Sequence, residues 1–118
     1  METEQNSLIQ ELKNFTGTTQ YFKHFTGLLF TDGVKYLADK VGCYWLIDVI
    51  ASYQYKLKNI SFQLWEIKVN SDKTAIVSIR EDTNTPILIK QELIYTDFPL
   101  SEFKFYCIDG VLLLPSEY

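Results

Sequence analysis

The sequence predicts an α+β fold: N-terminal helices packed on one face of a C-terminal antiparallel meander of about five strands. Three observations predict it. Before Ser61 the apolar residues recur at spacings of three and four, as along one face of a helix. From Ser61 onward they recur at spacings of two, as along one face of a strand. Near the end, Asp109-Gly110 lies between two apolar runs, the strongest short signal for a hairpin turn of type I′.

Thr3–Phe15 is the first expected helix. Leu8, Ile9, Leu12 and Phe15 make its apolar stripe, and Asn6 or Thr3 is placed to cap it. Thr16-Gly17-Thr18-Thr19 breaks it. Gln20–Phe30 is rich in strand formers (Tyr21, Phe22, Phe25, Leu28, Leu29, Phe30), but Gly27 interrupts their alternation, so an extended segment is expected. Thr31–Gln54 holds two short helices in tandem. Asp32 is expected as the N-cap of the first, because its carboxylate can accept the free N–H groups of the first turn. Val34, Leu37, Ala38 and Val41 form the stripe, and Gly42 is placed to end the helix in a left-handed conformation. In Cys43–Gln54 the residues Tyr44, Trp45, Leu46, Ile47, Val49, Ile50, Ala51 and Tyr53 leave almost no polar face. That predicts a buried central helix, with Asp48 its odd member. The run is too short to cross a bilayer, which takes about 20 apolar residues.

Tyr55–Ile60 reads as a polar connector. On the first strand Trp65, Ile67 and Val69 share one face and Phe62 and Leu64 the other, a change of phase that suggests a bulge or a strong twist near Leu64-Trp65. Ala75, Val77 and Ile79 mark the second strand. Val69 opposite Ala75 leaves Ser71-Asp72-Lys73 as a three-residue turn, and Ile79 opposite Ile87 leaves Asp82-Thr83-Asn84. Ile87, Ile89, Leu93 and Tyr95 mark the third strand. Gln91 breaks that line, which places it either at the edge of the sheet or with its amide toward a polar group on the helices, Asp48 being a candidate. Phe103, Phe105 and Cys107 mark the fourth strand. The fifth, Val111–Leu114, is set by Ile108 opposite Val111. Trp45, Leu46, Ile47, Ile50 and Val77 are expected in the core.

The chain has 118 residues, 47% of them hydrophobic, enough for one domain spanning 1–118 whose core needs neither disulfide nor metal. The formal net charge of −4 argues against nucleic-acid binding, which rests on clustered Lys and Arg. An acidic mimic of nucleic acid would need carboxylates gathered on one face, and the sequence spreads them. Cys43 and Cys107 lie in apolar surroundings without CxxC spacing and are expected to be reduced thiols in a cytoplasmic protein. The polar start METEQNSL is not that of a signal peptide, and no membrane association is expected.

His24 is the only histidine. Without a second histidine or paired cysteines at ligand spacing, no metal site is expected, and no glycine-rich or nucleotide motif points to a cofactor. The plain reading of His24 is a surface or half-buried residue. The sharper one makes it a general base near Asp32 or Asp48 in space. Asp48, inside an apolar helix, must be hydrogen-bonded, paired or neutral if it is buried. Val111-Leu112-Leu113-Leu114 is apolar on both faces, so it is either covered on both sides or paired with another molecule.

Several stretches together resemble a family of small uncharacterised bacterial proteins, a domain of unknown function. They are Phe15-Thr16-Gly17-Thr18, Tyr21 to His24, Thr31 to Ala38, Tyr44 to Asp48, Ile50 to Gln54, Tyr95 to Leu100 and Val111 to Tyr118. The resemblance covers most of the chain and implies no activity. It draws attention to polar residues that packing alone does not require: His24, Asp32, Asp48, Gln54 and Asp97.

Two readings of function follow. The favoured one is a non-enzymatic interaction module forming a homodimer through the C-terminal hairpin. There Tyr106, Ile108, Val111 and Leu113 share the face away from the helices. Within the chain, Gln20–Phe30 is the other candidate to cover that surface. The runner-up is a small enzyme or ligand-binding protein with His24, Asp32 and Asp48 in one pocket.

Overall fold

The computed structural model describes residues 2–118, with side chains from Gln5 onward. In chain order it contains α1 (Glu2–Lys13), β1 (Tyr21–Lys23), β2 (Leu29–Thr31), α2 (Asp32–Val41), α3 (Tyr44–Ser52), β3 (Phe62–Val69), β4 (Ala75–Arg80), β5 (Ile89–Leu93), β6 (Glu102–Ile108) and β7 (Val111–Leu113). Short 3₁₀ turns follow α3 at Gln54–Lys56 and β7 at Pro115–Glu117. This is the expected α+β class. The sheet, however, has seven strands, ordered β1-β2-β7-β6-β3-β4-β5. Every neighbouring pair is antiparallel except β2 and β7, which run parallel.

The two added strands come from Gln20–Phe30 and its continuation to Thr31. Gly27, read from sequence as an interruption, is the turn between them. The His24 N–H donates to the Leu28 carbonyl at 2.8 Å and the Gly27 N–H to the His24 carbonyl at 2.9 Å. Gly27 itself has φ +101, a conformation open to glycine at no steric cost. Because β2 pairs with β7, the last strand is not the open edge its position in the sequence suggested. Pairing inside the chain satisfies a row of backbone groups that would otherwise face water.

One face of the sheet carries Phe30, Leu112, Cys107, Phe105, Trp65, Ile67, Val77 and Ile79, all buried. The helices pack on it. Leu8 and Leu12 of α1, Leu37 and Ala38 of α2, and Leu46, Ile47 and Ile50 of α3 complete the core. Burying each Leu or Ile side chain contributes on the order of 1.5–3 kcal/mol. Gly42 ends α2 as expected, at φ 71, with its N–H on the Ala38 carbonyl. The Asp109-Gly110 turn has φ 50 and 82, both positive as type I′ requires. The Ser71-Asp72-Lys73 turn also forms. The Asn70 N–H reaches the Thr74 carbonyl at 2.8 Å, and Lys73 takes the left-handed position at φ 72.

Several local expectations are corrected. The N-cap of α2 is Thr31, not Asp32. Thr31 ends β2 in an extended conformation, and its Oγ1 accepts the Val34 N–H at 3.2 Å. Asn6 lies inside α1 rather than capping it, and the Thr3 side chain is outside the described residues. Ile9 is 38% exposed. The connector after α3 buries Leu57 in the core. α3 is not apolar all round: Tyr44, Asp48 and Ser52, four residues apart, form an exposed stripe, and Trp45 is only half-buried. No bulge occurs at Leu64-Trp65, because β3 pairs without a gap with β4 and β6. Leu64 is buried on the outer face, between Arg80 and Tyr106 of its neighbours. Ile79 pairs with Ile89, not Ile87. Pro86 has no N–H to give to the ladder, and Asp82 organises a longer loop by accepting the Thr83 and Thr85 N–H groups. Ile87 and Tyr95 are therefore exposed beside β5 rather than part of it.

Candidate functional site

The β1–β2 hairpin leans on α3 through one polar contact. His24 Nε2 lies 2.6 Å from Asp48 Oδ1. The histidine side chain is 9% exposed and that of Asp48 62%, so Asp48 is not the buried carboxylate the sequence suggested. On the other side of the ring, Nδ1 accepts the Thr26 N–H at 3.2 Å and faces Thr26 Oγ1 at 2.9 Å. An N–H donated to Nδ1 requires a lone pair there, which puts the ring hydrogen on Nε2, toward the carboxylate. The Phe25 ring lies tilted against it, 4.3 Å between centroids.

Carboxylate, imidazole and hydroxyl thus stand in line, an order that can draw a proton from Thr26. Acyl transfer needs more: backbone donors aimed at the developing oxyanion. The nearest loop donors are engaged, the Gly27 N–H on the His24 carbonyl and the Leu28 N–H on Thr26 Oγ1 at 3.5 Å. The contact therefore serves first to hold the hairpin tip against α3. Beside it runs a groove of about 520 Å³ lined by Thr26, Leu28, Ser52, Gln54, Tyr55 and Lys58, among others. Gln54 in its lining forms a reciprocal amide pair with Gln63, hydrogen-bonded both ways at 2.9 and 3.0 Å. Trp65 Nε1 donates to Gln63 Oε1 at 2.9 Å.

Asp32 does not join His24 and Asp48. Its carboxylate accepts the Thr19 hydroxyl at 2.7 Å and the Gly33 N–H. The Thr19 hydrogen bond holds its pKa below the usual carboxylate range. Next to it lies a residue that sequence reading missed. Glu117 Oε1 accepts the Thr31 hydroxyl at 2.6 Å and the Leu114 N–H at 2.9 Å, while Oε2 is buried without a hydrogen-bond partner. Burial raises the Glu117 pKa. A Cβ on Gly33 would stand 2.8 Å from this carboxylate, so the bare glycine makes its room. The signal was local only in part: Gly33 and Glu117 are far apart in sequence, and nothing in either neighbourhood names the other.

Gln91 satisfies both expectations for it. It lies on the edge strand β5, and its Oε1 accepts a hydrogen bond from a helix-side group, the Tyr53 hydroxyl at 2.8 Å rather than Asp48. Asp97 is exposed. Cys43 and Cys107 are buried free thiols, pushed up to about 12 by burial. Among the described residues no three of His, Cys, Asp and Glu gather as metal ligands would, and no helix is long and apolar enough to cross a membrane.

On the sheet face away from the helices, the cross-strand register aligns two apolar rows. One is Leu29–Val111–Ile108–Phe62 and the other Leu113–Tyr106–Leu64. Tyr118 lies edge-on over Phe62 and Tyr106, 5.7 and 5.2 Å between centroids. The core residues of α1, α2 and α3 pack against the opposite face of the sheet.

No curated protein and no solved structure matches the chain. The model of a family of unknown function, DUF6876, matches residues 6–118, and the chain belongs to that family.

Proposed function

We propose that the protein is a non-enzymatic interaction module, self-associating as a homodimer, and that the outer face of its sheet is a docking surface for protein. The two apolar rows on that face carry the reading. Tyr106, Ile108, Val111 and Leu113 are half-buried there, with Tyr118 lying over Phe62 and Tyr106. In a chain of net charge −4, a strip of apolar side chains, bordered by Lys23 beside Leu29 and Arg80 beside Leu64, is where a second copy can approach without carboxylate facing carboxylate. The test is sedimentation velocity over a range of concentrations. Leu113→Lys should leave the fold intact by circular dichroism and, for copies that meet on this face, weaken self-association at least tenfold. An unmutated protein that stays monomeric at high concentration overturns self-association.

The Thr26–His24–Asp48 line favours a second reading, an enzyme or ligand-binding protein. Asp32 is no part of it. Labelling of Thr26 by a phosphonate ester, lost in His24→Ala, would establish the enzyme; an unlabelled Thr26 removes Thr26 as its nucleophile.

A further inference from the structure

Strand β5 ends the sheet with one side unpaired. The other terminal strand, β1, has three residues, and shortness is itself a protection against unwanted pairing. β5 is longer and lies within Ile87-Leu88-Ile89-Lys90-Gln91-Glu92-Leu93-Ile94-Tyr95. Ile87 and Leu88 are each 44% exposed, Ile94 95% and Tyr95 68%. An unpaired edge bracketed by exposed apolar side chains is an interaction surface.

The order of the residues names the occupant. The stretch is chemically symmetric about Gln91. In an antiparallel pairing of two copies with Gln91 facing Gln91, Lys90 of one copy faces Glu92 of the other, and Ile89 faces Leu93. If the pairing continues, Leu88 meets Ile94 and Ile87 meets Tyr95. Opposite charges directly across an antiparallel pair stabilise it, and apolar pairs add to that. Within the chain neither charge has such a neighbour: Lys90 lies opposite Ser78 on β4, and Glu92 opposite Ile76. Both are exposed.

We propose that two copies of the chain join at β5, antiparallel and centred on Gln91, to make one continuous sheet about a twofold axis. Such a contact is isologous and closes on itself, so it gives a dimer and not a fibre. The contact is β-strand addition with the chain as its own partner. It rests on the reading of the protein as a self-associating module, but puts the contact at β5 in place of the outer face, so Leu113→Lys leaves this dimer intact and the outer face is free for another protein.

Charge reversal tests the register directly. Glu92→Lys sets a second lysine opposite Lys90 at both symmetric positions, and Lys90→Glu sets a second glutamate opposite Glu92. Each single variant should dissociate at a concentration at least tenfold higher than the unmutated dimer. Mixing the two variants should restore a heterodimer, because every facing pair is again lysine with glutamate. The double swap, Lys90→Glu with Glu92→Lys, should restore the homodimer. All these side chains are exposed, so circular dichroism should show an intact fold throughout. A dimer that ignores both single reversals but is loosened by Leu113→Lys overturns the β5 contact and leaves the interaction reading standing. A protein that is monomeric at every concentration overturns both.

Discussion

Replacing Thr31 by Val tests the joint between β2, α2 and the turn after β7. Thr31 is 1% exposed, and valine matches its shape, so the change removes a hydroxyl and opens no cavity. That hydroxyl has two partners. It accepts the Val34 N–H at 3.2 Å, which caps α2, and losing such a cap costs about 1 kcal/mol. It also donates to Glu117 Oε1 at 2.6 Å. A hydrogen bond to a charged group contributes about 1.5–3 kcal/mol. Glu117 would retain the Leu114 N–H and could swing toward water, which limits the second loss. The expected total is about 2–4 kcal/mol. In urea, with a slope of about 1.5 kcal/mol per molar, the midpoint should fall by roughly 1–3 M. Because both side chains share one bond, Thr31→Val and Glu117→Met, which leaves no oxygen to accept the hydroxyl, should be non-additive by more than about 0.5 kcal/mol in a double-mutant cycle. A loss under about 0.5 kcal/mol, or strict additivity, would refute the joint.

Four further outcomes are expected. Burial raises the Glu117 pKa above its ordinary 4.5, so its contribution to stability is fully present below that value and is lost as pH rises through the folded pKa; Glu117→Gln should remove this loss, seen as a flatter stability profile upward from about pH 4.5. Leu46→Ala and Ile50→Ala, at 1% and 0% exposure, should each cost about 2–5 kcal/mol by urea denaturation, whereas Trp45→Ala should fall below that range. Cys43 and Cys107 should be nearly inert to a thiol reagent at pH 8 in the folded protein and both react once it is denatured, since burial holds them at about 12. Lys73→Gly should hold or raise thermal stability, by up to about 1 kcal/mol, because glycine adopts a positive φ such as the 72° found there without steric cost; a clear loss would show that the Lys73 side chain matters more than its backbone.

What could be read from the sequence was whatever neighbours along the chain decide. The stripe Val34, Leu37, Ala38 and Val41 with Gly42 behind it specified α2 and its end. Asp109-Gly110 specified the last hairpin and its register, and the alternation at Ala75, Val77 and Ile79 specified which face of β4 is buried. Each of these depends on backbone preference or on a side-chain period within a few residues. What tertiary structure decided involves distant partners. β2 joined β7 although Leu29 and Val111 lie far apart in sequence, and no local pattern marks a strand of three residues as the cover for another. Thr31 displaced Asp32 as cap because β2 delivers it extended at the helix start. His24 found Asp48 but not Asp32, since α3 runs beneath the hairpin tip while Asp32 is held by Thr19. Glu117 settled on Gly33 because a missing Cβ left room there. Local chain stiffness and periodicity can be read off one segment. The pairing of a polar group depends on which segment folding brings against it, and that is fixed only when the whole core closes.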